Sequence, residues 1–107
     1  MKLLFDETLP KRLQQDFIDA GFSVNSVQVM GWSGKKNGEL LKLLVTHAFD
    51  ALLTGDKNLA YQQSNLSVAI VFCDVQRLIY DAIKPLVPQT VLLLANRPRL
   101  GIYKIQA

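Results

Sequence analysis

The chain has 107 residues, 12 Lys or Arg against 9 Asp or Glu, a formal net charge of +3 and a single cysteine. Half of the residues are hydrophobic and a fifth are charged, which excludes a disordered tail and fits one globular domain over residues 1–107 whose core needs no staple. One cysteine, Cys73, excludes an internal disulfide and a cysteine metal cage, and no apolar run reaches the length of a membrane span, so the expectation is a cytoplasmic protein without a signal peptide.

In chain order, Leu3, Leu4 and Phe5 predict a short strand, and Leu9-Pro10 opens a helix with Leu13, Phe17 and Ile18 or Ala20 inward, ended by Gly21. Residues 22–27 read as a second strand, and Met30-Gly31-Trp32-Ser33-Gly34 as a loop. Asn37-Gly38 then starts a helix through Leu40, Leu41, Leu44 and Val45 to His47. Residues 50–54 form strand three. Tyr61-Gln62-Gln63-Ser64-Asn65 follows as a short helix or turn, and β-branched residues 68–72 give strand four. A helical pair broken by Pro85 and Pro88 has Leu78, Ile79, Ala82 and Ile83 on one stripe and Val91, Leu92 and Ala95 on the next, and residues 101–105 close as strand five. Strands separated by helix-length segments predict a three-layer α/β/α sandwich with a mainly parallel sheet.

In such a fold the carboxyl ends of parallel strands open on one edge. Asp6-Glu7 follows strand one, Thr54-Gly55-Asp56-Lys57-Asn58 follows strand three, and Asn37-Gly38-Glu39 begins the helix between them. Carboxylates gathered there repel one another unless a cation neutralises them, which points to a divalent-metal site. Net positive charge elsewhere, as in Lys11-Arg12 and Lys35-Lys36, is compatible with a phosphodiester substrate.

Asp6-Glu7 with Leu9-Pro10, Gly31-Trp32-Ser33-Gly34 with Asn37-Gly38-Glu39-Leu40-Leu41, and Phe49-Asp50 leading to Thr54-Gly55-Asp56-Lys57-Asn58-Leu59 and Gln62-Gln63 resemble the compact PIN-like domains of unassigned function. These look like shortened relatives of the PIN nucleases, metal-dependent ribonucleases that include toxins of type II toxin–antitoxin pairs. The likeness covers roughly the first two thirds of the chain. It implies a ribonuclease in which Asp6, Glu39 and Asp56 bind Mg²⁺ or Mn²⁺ and position a water that attacks the phosphodiester in line. Lys57, Asn58, Lys35, Lys36 and Gln62 would contact single-stranded or structured RNA, with Glu7, Asn37 and Thr54 supporting the acids. Tyr61 or Trp32 would offer a stacking surface. The resemblance also implies a small antitoxin-like protein partner or a homodimer.

Plainer roles compete for the same residues. Asp6 and Glu39 can serve helix N-termini, Asp56 can form a turn, His47 can cap a helix end, and Trp32 can close the core edge. Two other classes share the acid pattern. A catalytically decayed PIN-like module that binds protein is favoured by the amides Asn58 and Asn37, which stand where the family pattern has acids. A phosphoacceptor receiver-like domain would use Asp6, Glu7, Asp56 and Lys104, but its fourth strand should end in serine or threonine where this chain has Cys73-Asp74.

Overall fold

A computed structural model describes residues 1–61 and 68–107. Short runs of Leu, Ile, Val and Phe bounded by polar turns form five strands, β1 Lys2–Phe5, β2 Ser23–Ser26, β3 Ala51–Thr54, β4 Ala69–Cys73 and β5 Gly101–Ile105. They build one sheet in the order β2-β1-β3-β4-β5, and every neighbouring pair is parallel. All residues of β3 and β4 are buried, as expected of central strands covered on both faces, which need continuous apolar runs and show no alternation.

The period of two along each strand divides the core. Leu3, Phe5, Leu53 and Val71 pack on one face with Leu13 and Phe17 of α1 (Leu13–Asp19). The same cluster holds Ile83 of α4 (Tyr80–Ile83), Leu86 of the 3₁₀ turn Lys84–Leu86, and Leu94 of α5 (Val87–Ala95). Leu4, Leu52, Ile70 and Phe72 face the opposite way, against Leu40 and Leu44 of α2 (Asn37–Thr46) and Leu59 and Ala60 of α3 (Lys57–Tyr61). Helices therefore cover both faces, and the sheet is wholly parallel where the sequence led us to expect mainly parallel.

Several stripe residues lie elsewhere than expected. Ile18, Val45, Ile79 and Leu92 are exposed, while Leu94 is fully buried. Each of these helices is short and touches the sheet along one ridge, so apolar residues a step off that ridge meet solvent. The first regular helix begins at Leu13, because residues 10–15 close i→i−3 turns from Leu13 N–H to Pro10 and from Gln14 N–H to Lys11. Of residues 61–65, read from sequence as a short helix or turn, Tyr61 ends the helix Lys57–Tyr61 and the rest lie outside the described residues.

Two helices end in the same hydrogen-bonded motif with different residues. After α1, Gly21 takes φ +99° while Phe22 N–H donates to Phe17 O at 3.0 Å. After α2, Ala48 takes the corresponding left-handed position at φ 59° while Phe49 N–H donates to Leu44 O at 2.9 Å. A Cβ in that conformation costs about 1 kcal/mol, which glycine avoids. Ala48→Gly should therefore raise stability by about 1 kcal/mol; an unchanged or lower urea midpoint would contradict this account of the turn.

Candidate functional site

Strand order reverses around β1. The connection through α1 leads to β2 on one side, and α2, on the opposite face, carries the chain back to β3 on the other side. Ligands of open parallel sheets bind at such a switch point, outside the carboxyl ends of the strands. Register pairs Phe5 with Leu53, so the next residues, Asp6 and Thr54, come side by side at this point.

Asp6 is 7 % exposed and its carboxylate is tied into a directed network. Oδ1 accepts from the Thr8 N–H at 3.0 Å and the Thr8 hydroxyl at 2.5 Å, and Oδ2 accepts from the Thr54 hydroxyl at 2.5 Å. The Thr8 oxygen in turn accepts the Gly55 N–H at 2.8 Å, and the Thr54 oxygen accepts the Asp56 N–H at 2.9 Å. A hydroxyl owns one proton. Because the backbone N–H groups donate into both threonine oxygens, both hydroxyl protons are free to point at Asp6, and the network suits the ionised carboxylate. Burial nevertheless pushes the Asp6 carboxyl above its ordinary value; the Thr54 and Thr8 hydrogen bonds pull it down, and the neighbouring Asp56 charge adds a lesser upward push.

Asp56 does two jobs. Its Oδ1 accepts the Asn58 N–H at 2.9 Å, and its carbonyl accepts the Ala60 N–H at 3.1 Å, so it caps α3. The plain role considered for it is thus present. The cap uses Oδ1, Oδ2 accepts no hydrogen bond among the described residues, and Asp56 lines the cleft as a second carboxylate. Gly55 leaves room for the turn between them: a methyl there would lie 2.2 Å from Leu78 Cδ2.

Asp6, Glu7, Thr8, Lys35, Asn37 and Asp56 form the polar lining of a cleft of about 170 Å³, backed by Trp32, Leu40, Leu59 and Val27. This is below the usual range for drug-sized ligands and is the scale of a hydrated ion with a phosphate. Among the expected residues, Asp6, Glu7, Asn37, Lys35 and Asp56 meet there, with Thr54 buried behind Asp6. Glu39 does not line the cleft and is exposed. Asn37 and Leu40 are three apart on α2 and face the cleft, so Glu39, about 200° round the helix from Asn37, faces away. Lys36, Lys57 and Asn58 are exposed outside the lining, and Gln62 lies outside the described residues. Among the described residues, no three His, Cys, Asp or Glu side chains are grouped so as to hold a metal.

Thr8 is the residue that sequence reasoning missed. An Asp-x-Thr pair after a strand is a signal for an Asx turn, yet nothing local says that the hydroxyl will reach across to Gly55. Trp32 is buried, with its ring 6.0 Å from Phe49 and 5.0 Å from His47, and serves as part of the cleft wall. Tyr61 is exposed and packs edge-on to Phe72 at 5.8 Å. Lys104 lies in a separate groove with Gln89 and Leu92 of α5 and Asn96 just after it, and that groove includes neither Asp6 nor Asp56. No helix among the described residues is long and apolar enough to cross a membrane. Comparison with protein-family models, with curated proteins and with solved structures gave no match to this chain.

Proposed function

We propose that the protein is a metal-dependent ribonuclease of the PIN type, holding Mg²⁺ or Mn²⁺ between Asp6 and Asp56. The observation that carries this reading is the pairing of two carboxylates in one small cleft at the switch point of a parallel sheet. Among the described residues, Oδ1 of Asp6 is saturated by Thr8, but Oδ2 accepts only from Thr54 and keeps a lone pair, as does Oδ2 of Asp56. Magnesium is commonly held by one or two carboxylates with substrate phosphate and water completing its shell, so this donor set fits without a protein cage. When bound, the metal neutralises charge on the phosphate and lowers the pKa of water.

The chain's own groups supply the remaining parts. Lys35 holds a non-bridging phosphate oxygen, and Asn37 donates its amide to the same group. Glu7, exposed at the rim, is the third acid and accepts the proton of the attacking water. Thr8 and Thr54 fix the Asp6 rotamer, and the Trp32, Leu40 and Leu59 wall keeps bulk water from the inner side of the cleft.

The test is incubation of the native protein with a mixed single-stranded RNA pool in manganese or magnesium, against a chelator control. Metal-dependent fragments are the expected result. The amides Asn37, in the cleft, and Asn58, beside it, stand where the family pattern has acids and favour a second reading, a PIN-like module that has lost catalysis and binds a protein partner. It predicts intact RNA under every metal, and that outcome would overturn the nuclease reading.

A further inference from the structure

The carboxyl end of β1 opens on a hollow at each face of the sheet, and Asp6 is the ridge they share. The cleft on the α2 face, backed by Val27, Trp32, Leu40 and Leu59, carries the acids described above. The hollow on the α1 face encloses about 150 Å³ and is lined by Asp6 with Leu9, Lys11, Gln14, Ser26 and Gln28 among others. Its charged lining differs in sign: apart from the shared Asp6, Lys11 is the one charged side chain there among the described residues. Gln14 and Gln28 add amides able to donate and accept. Ser26 is buried and uses its hydroxyl oxygen to accept the Val29 N–H at 3.2 Å, which leaves its proton free to donate.

A cleft suited to a cation and phosphate, adjoining a hollow with a lysine and neutral hydrogen-bonding groups, matches a polyanion better than a single phosphate ester. We propose that the α1-side hollow is a sugar-phosphate subsite for the nucleotide adjoining the scissile bond, with Lys11 as its phosphate contact. The inference rests on the reading of the Asp6 cleft as an RNA-handling site and names its substrate class: a single-stranded oligonucleotide long enough to cross the end of β1. The hollow is too small to enclose a base together with its ribose phosphate, and glutamine amides contact sugars and phosphates of every nucleotide alike, so the subsite carries no base preference.

Binding without cleavage provides the test. Fluorescein-labelled single-stranded RNA of two and of six nucleotides is titrated with the native protein, Lys11→Ala and Lys11→Arg, and read by anisotropy in calcium across a salt series. Lys11→Ala should weaken the hexamer about fivefold to tenfold, leave the dinucleotide unchanged, and reduce the slope of log affinity against log salt by about 0.7, the value for one single-strand phosphate contact. Lys11→Arg should retain the native slope. Equal binding by native and Lys11→Ala protein, or an equal loss at both lengths, overturns the subsite. Native cleavage in manganese with no Lys11 effect removes the subsite and keeps the nuclease. Length-dependent binding through Lys11 without cleavage does the reverse. Failure of the native protein to bind the hexamer removes both.

Discussion

In manganese, Asp56→Asn should lose cleavage of single-stranded RNA by about 10²–10³-fold, the effect expected when a metal-holding carboxylate worth several kcal/mol becomes an amide. This substitution is the most informative of the acid replacements because asparagine is as good an N-cap as aspartate. The Asn58 N–H keeps an oxygen to donate to, α3 keeps its start, and lost activity cannot be blamed on a lost fold. Asp6→Asn is less clean. An amide presents an NH₂ where one carboxylate oxygen stood, yet the Thr8 and Thr54 hydroxyls both donate to Asp6, so one bond must break. Its cleavage should fall as far as that of Asp56→Asn, but with a stability change to be measured alongside. The two glutamates separate the structural site from the one read in sequence. Glu7 lines the cleft and Glu39 does not, so Glu7→Gln should cost about 10²-fold in kcat, the low end for a general base, while Glu39→Gln stays near native. A large Glu39 effect with none for Glu7 would mean that α2 turns its other face to the substrate. Retained cleavage in both aspartate variants would remove the carboxylate-metal mechanism.

The elements of the fold were legible for a physical reason. Central parallel strands must be apolar throughout, and Leu52-Leu53 and Ile70-Val71-Phe72 declare themselves by that run alone. Strand order was not legible, since nothing in the composition of Ser23–Ser26 says that it pairs with the far side of β1. Helix faces were read less well than helix positions. In a seven-residue helix such as α1, one buried ridge of Leu13 and Phe17 leaves Ile18 in solvent, and hydrophobicity alone does not distinguish these neighbours. At the site, Asp6, Thr54 and Asp56 could be placed together because strand ends converge. The inward turn of Asn37 in place of Glu39 depends on the phase of α2, which the sequence leaves open to within one residue, and one residue is 100°. The Thr8 link to Gly55 spans 47 positions, and a contact of that range has no local signature.

Thr54→Val should destabilise the fold by about 3 kcal/mol at pH 7 and by clearly less at pH 4. Valine keeps the shape and removes the hydroxyl, so two partners lose their bond. Asp6 Oδ2 loses its donor, worth about 1.5–3 kcal/mol for a bond to a charged group, and the partly buried Asp56 N–H loses its acceptor. The pH dependence follows from the Asp6 carboxyl, whose folded pKa lies above the ordinary 3.8 because burial outweighs its hydrogen bonds. With the folded value raised, the native state holds the proton more tightly than the unfolded chain, so the contribution of this group is greatest below 3.8 and is lost as pH rises through the folded pKa. Removing Thr54's hydroxyl deletes a bond that lowers that pKa and so raises it further. The window in which stability falls then extends toward neutral pH, and the difference between variant and native grows with it. Urea unfolding of both proteins at the two pH values isolates this effect, because the remaining carboxylates are common to both and cancel in the difference. Thr54→Ser, which retains a hydroxyl, should recover most of the loss. A difference that is the same at pH 4 and pH 7, or below about 1 kcal/mol at both, would show that Thr54 packs beside Asp6 without holding its charge.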